Sequence, residues 1–403
     1  MSLALFWSAV ALIVYTYILF PALILLRGLF WRRPYKSAAI TPSISMIIAA
    51  HNEAGTIQAR VENILALDYP RDRLEVVIAS DGSNDGTDTI VRSYAEPGIR
   101  LLSLPRQGKI PALNAGVAAA TGEILLFSDA NSMYAPDAIR ALVQPFADPT
   151  VGGVAGDQRY LTERSGGATN DGEQSYWNFD RLLKQFQSRS GNVISATGAI
   201  YAVRRSLFRP IPVGVTDDFV ASTNVIALGQ RLVFAQDAVA YEPVAGTGGV
   251  EFGRKVRVMT QGWRSVLVMR ELLNPFRHGF YAVQFFSHKV LRRLMVFPLL
   301  VLFLVSPLLW REGPLYQAAT LAQIAFYGAA ALGVLLSGTT LGRRKIFTIP
   351  FYFCMVYAAA LLATLNIVRG HRIDRWEPQR QSTVRPGVAS QVTMPGSPEQ
   401  SSS

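Results

Sequence analysis

The sequence predicts an α/β protein, a doubly wound and mostly parallel sheet held between apolar segments long enough to cross a membrane. Three observations predict it. Short apolar runs alternate with helical patterns at about 25-residue spacing, the pattern of strand–helix–strand units. The runs are near-continuous Val/Ile/Leu rather than alternating, as in strands buried on both faces. And four stretches without a charge flank this region: Leu3–Leu26, Leu294–Trp310, Pro314–Gly342 and Ile346–Val368.

Leu3–Leu26 has no basic region before it, is too long for the apolar core of a signal peptide, and no small-x-small cleavage site follows it directly, so it reads as an anchor. A bilayer core of about 30 Å needs about 20 helical residues. The first, third and fourth stretches reach that length, and the second, broken by Pro298 and Pro307, is marginal. Arg27, Arg32, Arg33 and Lys36 after the first stretch, and Lys289, Arg292 and Arg293 before the second, put the region between them in the cytoplasm. Arg343, Arg344 and Lys345 precede the last stretch, and Arg369, Arg372 and Arg375 follow it. Four full spans place the tail outside, while a re-entrant or interfacial second segment places it inside. Both arrangements stand at this point.

The domain boundaries follow: an anchor over 1–36, a cytoplasmic domain over 37–275, interfacial and transmembrane helices over 276–372, and a disordered tail over 373–403. From about Gln379 the tail is rich in Ser, Pro, Gln and Gly and lacks the apolar residues needed to fold. Much of the net charge of +11 sits beside the apolar stretches, where it favours anionic lipid headgroups over nucleic acid. The one cysteine, Cys354, lies in the last stretch, so no disulfide framework or thiolate metal cluster is available.

Within the middle region, strands are expected at 43–50, 74–80, 99–105 and 123–130, each followed by a helical pattern. Ligands bind outside the carboxyl ends of such strands. Those ends read His51-Asn52-Glu53, Ser80-Asp81-Gly82-Ser83, Arg106-Gln107-Gly108-Lys109 and Asp129-Ala130-Asn131. Two acids, a lysine and small residues suit a ligand with phosphate, hydroxyls and a divalent cation. No G-x-G-x-x-G follows the first strand and no G-x-x-x-x-G-K-[ST] is present, which weighs against dinucleotide dehydrogenases and P-loop enzymes.

Seven segments in order resemble the family-2 glycosyltransferases, the membrane-anchored inverting enzymes of GT-A fold that include the cellulose, chitin and hyaluronan synthases. They are "IIAAHNEAGTI", "IASDGSNDGT", "GKIPALNAG", "FSDAN", "ATGAIYAVRRSLF", "VTDDF" and "GQRLVFAQDAVAYE". The resemblance covers about residues 43 to 260. It implies a Rossmann-like GT-A domain that moves a sugar from a nucleotide-diphosphate donor to a saccharide or lipid-linked acceptor. It also implies that His51, Asn52, Glu53, Asp81, Lys109 and Asn114 serve the donor, and that Asp218, with Asp217 beside it, is the base.

The chemistry of the residues agrees. A departing diphosphate calls for a hard cation on oxygen ligands, and the acceptor hydroxyl calls for a carboxylate base. Asp81 ends a strand, although an aspartate before a turn also caps its own backbone, a role that suits Asp85 better. Lys109 opens a helix, where an anion is favoured. Asp218 competes with a helix N-cap role, which Asp217 is equally suited to fill.

Asp129 and Asn131 stand where the family carries D-x-D, so one carboxylate and one amide are expected to hold Mg²⁺ or Mn²⁺ mainly together with the nucleotide. Processive relatives carry Q-x-x-R-W further on; here the in-register residues are Arg254, Arg257 and Val258. Arg257 remains a candidate for the diphosphate, while the missing tryptophan counts against processive polymerisation. The segment 252–273 is otherwise an amphipathic helix for the membrane surface. Expected partners are the donor, the acceptor, membrane lipids and other synthase subunits, with no nucleic acid. A bacterial inner membrane fits the compact, sulfur-poor chain. The departures at Asn131 and Val258 motivate one alternative, a non-catalytic scaffold for another synthase.

Overall fold

In the computed structural model the described residues are 1–94, 98–161, 168–243, 248–336, 338–342 and 344–371. Arg343, Arg372, Arg375 and the tail expected from Gln379 onward lie outside them.

The chain opens with helix α1 (Ser2–Phe30), 29 residues long, apolar and mostly uncovered by the rest of the chain. An extended segment leads to β1 (Ile44–Ala50), every residue of which is buried. Next come α2 (Ile57–Leu65), β2 (Leu74–Asp81), α3 (Thr87–Ser93), β3 (Ile99–Leu104), α4 (Lys109–Ala119) and β4 (Ile124–Asp129). β1 pairs in parallel with both β2 and β4, and β2 with β3. These are the four strands expected from the apolar runs.

The second half of the sheet is mixed. It contains β5 (Met133–Tyr134), helix α5 (Ala138–Val143), β6 (Val151–Leu161), helix α6 (Ala168–Ser190), β7 (Tyr201–Arg204), helix α7 (Asp217–Ala227) and β8 (Arg231–Pro243). The sheet order is β3-β2-β1-β4-β7-β6-β8-β5. β7 runs antiparallel to β4 and β6, whereas β6 and β8 are parallel. Both faces are covered: Ile47, Val77 and Leu125 pack toward α4 and α7, and Met46, Ile48 and Leu126 toward α2 and α5. Strand order switches around β1 and β4, so a crevice opens at their carboxyl ends.

After the sheet, α8 (Gly248–Val268) leads to α9 (Phe280–Leu294) and α10 (Val296–Glu312), which meet at a 47° bend. The marginal second stretch of the sequence, Leu294–Trp310, forms the second arm of this bent pair. Then come α11 (Pro314–Leu335) and α12 (Lys345–Val368). Among the described residues three helices, α1, α11 and α12, are long and apolar enough to cross a membrane, or four spans if the bent pair counts as one.

Polar contacts tie these helices to the domain. Trp263 Nε1 donates to Thr364 Oγ1 at 3.2 Å and Asn366 Nδ2 to Thr260 Oγ1 at 3.4 Å, so α8 lies against α12. Ser265 Oγ, also on α8, accepts from the backbone N–H of Thr216 at 2.8 Å, just before α7.

Candidate active site

The first cluster gathers at the ends of β1 and β2. Asp81 is 1% exposed, and the loop between β3 and α4 wraps its carboxylate. Gln107 N–H donates to Oδ1 at 2.7 Å, Gly108 N–H to Oδ2 at 2.9 Å, and Arg106 Nη1 pairs with Oδ2 at 2.5 Å. His51 Nδ1 donates to the Asp81 carbonyl at 2.8 Å. Asn52 takes a positive φ of 52°, which asparagine tolerates better than most residues, and its Oδ1 accepts from Asn84 N–H at 2.9 Å. Glu53 is buried and accepts from Thr56 Oγ1 at 2.7 Å. Asp85 Oδ1 accepts from Thr87 N–H two residues on, at 3.0 Å, which is the Asx-turn.

The second cluster lies one loop away and is built of charge. Lys109 is the first residue of α4, and its Nζ sits 2.8 Å from Asp129 Oδ1 and 3.1 Å from Asp217 Oδ2. Burial alone would lower the lysine's pKa, but the two carboxylates overturn that and hold it above its ordinary value. Asp217 and Asp218 form the first turn of α7, whose N-cap residue is Thr216. Asp218 Oδ1 accepts from Phe219 N–H at 2.7 Å. Burial first, then the adjacent charge of Asp217, push the Asp218 carboxyl up to about 7, against the pull of Lys109. A carboxylate poised there suits a general base at neutral pH.

Several neighbours of this cluster are absent from the sequence expectation. Arg60 is fully buried, donates to Ser128 Oγ at 2.9 Å and stacks over Tyr134 at 4.3 Å, directly behind Asp129. Glu242, on β8, accepts from Ser132 Oγ at 2.6 Å, and burial, then the charge of Asp129, raise its pKa. The hydroxyls of Tyr201 and Thr197 are buried without a hydrogen-bond partner among the described residues. Burial, followed by the charges of Asp217, Asp218 and Asp129, lifts the Tyr201 pKa well above normal, which places its hydroxyl by the three acids. Gly198 presses on Asp129: a Cβ there would stand 3.0 Å from Asp129 Oδ2.

Two further expected residues are carried on α4 and α8. Asn114 clamps the chain ahead of α7, donating to Ile211 O at 2.9 Å and accepting from Ile211 N–H at 3.0 Å. Arg257 is half-buried on α8.

Among the described residues no group of three or more His, Cys, Asp or Glu is arranged to hold a metal ion. The oxygen donors available are the Asp129 carboxylate, 31% exposed, and the Asn131 amide two residues on. One Asp129 oxygen already accepts from Lys109 at 2.8 Å. Such a pair fits a hard divalent cation whose shell is completed by a ligand's own oxygens.

Residues 45–211 match the model described as Glycosyl transferase family 2. The chain carries a family 2 glycosyltransferase domain. The probable glycosyltransferase YdaM of Bacillus subtilis is 26% identical over 243 residues, 56% of this chain and 56% of that protein. The poly-beta-1,6-N-acetyl-D-glucosamine synthase of Staphylococcus aureus MSSA476 is 27% identical over 234 residues, 56% and 55% of the two chains. The matched region thus spans about half the length of the curated relatives. The mannosyltransferase PcManGT of Pyrobaculum calidifontis, solved with GDP-Man and Mn2+, superposes with a TM-score of 0.66 at 24% identity, over 90% of this chain and 99% of that one. The glycosyltransferase domain therefore has the GT-A-like fold expected of it, with apolar helices on both sides.

Proposed function

We propose that this family 2 glycosyltransferase moves a sugar, with inversion, from a nucleotide-diphosphate donor to a hydroxyl of a saccharide or lipid-linked acceptor at the cytoplasmic face of a membrane. The observation that carries this reading is a partly buried charge cluster in which Lys109 bridges Asp129 and Asp217 at 2.8 and 3.1 Å, with the neighbouring Asp218 carboxyl pushed up to about 7. Acids pushed apart in this way take different roles.

In this reading Asp218 accepts the proton of the attacking hydroxyl. Asp217, 3.1 Å from Lys109, lies beside Asp218 and helps hold the Asp218 pKa up. Asp129 and Asn131 would hold Mg²⁺ or Mn²⁺ with the donor's phosphates. When bound, that cation would neutralise the charge gathering on the departing diphosphate. Lys109 lies on the same side and adds a fixed positive charge for the anion. The loop 106–108, held by Asp81, sets where α4 and its lysine begin. His51, Asn52 and Glu53 shape the adjoining end of the donor crevice.

Purified protein assayed against a panel of nucleotide sugars, with Mg²⁺, Mn²⁺ or EDTA, tests this. Transfer or donor hydrolysis that EDTA removes is the expected result. Nucleotide binding without turnover for any donor would instead favour the non-catalytic scaffold. Because two oxygen donors hold a cation weakly, Mn²⁺ titrated into the protein alone should bind far more weakly than in the presence of a nucleoside diphosphate. Tight binding to the nucleotide-free protein would contradict the Asp129–Asn131 assignment.

A further inference from the structure

The segment joining α1 to the sheet is fixed against the domain. Arg33 N–H donates to the Arg189 carbonyl at 2.8 Å, and Lys36 N–H to Asp148 Oδ2 at 3.0 Å. The buried guanidinium of Arg231 donates to the carbonyls of Arg33 at 2.8 Å and Pro34 at 3.2 Å. So held, the segment forms one wall of a cavity of about 1080 Å³, a volume in the range of small-molecule sites. The other walls are α5, the last turn of α6 and residues 234–237 of β8. Neither Asp81 nor Lys109, Asp129, Asp217 or Asp218 lines it.

The charges in its walls are unequal. Arg32, Arg33, Arg140 and Arg189 face Asp137 and Asp237. Arg140 is taken up by Asp68 through bonds of 2.7 and 2.9 Å. Arg32, Arg33 and Arg189 have no carboxylate partner among the described residues, and Arg189 instead lies over the Phe186 ring at 5.0 Å. The field reaches inward: burial, then the charge of Arg33, lower the pKa of Arg231. Between the arginines the walls carry Pro34, Tyr35, Pro145 and Phe234 together with glutamine and serine side chains.

The position of the cavity points to its occupant. Arg32 and Arg33 follow directly on the end of α1 at Phe30. Phe30 and Trp31 are 72% and 63% exposed, as aromatic residues are at the headgroup level of a bilayer. We propose that this cavity binds the phosphate of an anionic membrane lipid, with Arg32, Arg33 and Arg189 around the phosphate and the mixed apolar and amide walls beside the glycerol. The inference depends on α1 crossing the membrane and is independent of the sugar chemistry. Bound lipid would fix the domain's height and tilt at the bilayer surface.

Native mass spectrometry of the full-length protein released from neutral detergent, titrated with phosphatidylglycerol or phosphatidylcholine, tests the proposal. Wild type should retain phosphatidylglycerol in preference to phosphatidylcholine. The Arg33→Gln/Arg189→Gln variant should retain phosphatidylglycerol about thirtyfold less well, since each of the two basic groups near a lipid surface contributes about 1 kcal/mol. Gln236→Glu, which adds a negative charge to the same wall and leaves the arginines in place, should weaken retention in the same direction. Phosphatidylglycerol retention unchanged in both variants, with melting temperatures intact, would overturn the site. sn-Glycerol 1-phosphate in a parallel arm separates the two sources of phosphate. Binding as tight as that of phosphatidylglycerol would overturn the lipid assignment and leave a soluble phosphate ester as the ligand.

Discussion

Asp81 and Asp218 lie at the same crevice, and their surroundings differ in kind. Asp81 accepts from two backbone N–H groups and from Arg106, and it is 1% exposed. Its acceptor capacity is taken up by the loop it holds. Asp218 accepts from one backbone N–H, beside a second carboxylate, and its pKa rises to about 7. The difference teaches where to look for proton transfer. A buried acid whose hydrogen bonds close on its own backbone builds the site, and an acid set against a like charge works in it.

Substitutions that break this contrast should differ in size and in kind. Asp218→Asn should lower the transfer rate by about 10²–10⁴, the usual contribution of a general base, and leave stability near wild type. A single-turnover assay checks it, and equal rates would remove Asp218 from the base role. Asp81→Asn should act first on the fold. Asp81 is buried but Arg106 is 35% exposed, so the loss is mainly that of the carboxylate's backbone hydrogen bonds, about 2 kcal/mol, and the freed loop should raise the donor KM. A chemical denaturation curve beside a donor titration separates the two effects. The smallest effect is the pH shift in Lys109→Met, which comes on top of the rate lost with the positive charge that faces the diphosphate. The ammonium favours ionised Asp218, so removing it should move the rising limb of activity to higher pH by about one unit. A shift to lower pH would contradict the charge arrangement.

The parallel half of the sheet was legible because β1, β2 and β4 are buried on both faces and carry unbroken apolar runs. β6 was not, because it reads as a glycine-rich loop, "VGGVAG". Its Gly156 lies where a Cβ would stand 2.7 Å from the Ala238 carbonyl, so glycine there reports close strand packing rather than a turn.

Of the site, the residues at strand ends could be found from position alone, which brought out Asp81, Lys109 and Asp129. Asp217 and Asp218 needed the motif as well. Arg60 was hidden, since an arginine in "IQARVENIL" reads as the solvent face of a helix, yet it is fully buried behind Ser128. Glu242 was hidden for another reason. It reaches Asp129 only through the pairing of β5 and β6 with β8, which joins residues far apart in the chain. The clamp of Asn114 on Ile211 is long-range in the same way.

The most direct test of the account is the pH dependence of kcat/KM for wild-type protein under saturating divalent cation. Folded-state burial and the charge of Asp217 raise the Asp218 pKa, so the base is protonated and inactive below that value and ionised above it. Activity should rise with pH through a limb near 7. A limb near 4, where an unperturbed aspartate titrates, would contradict it.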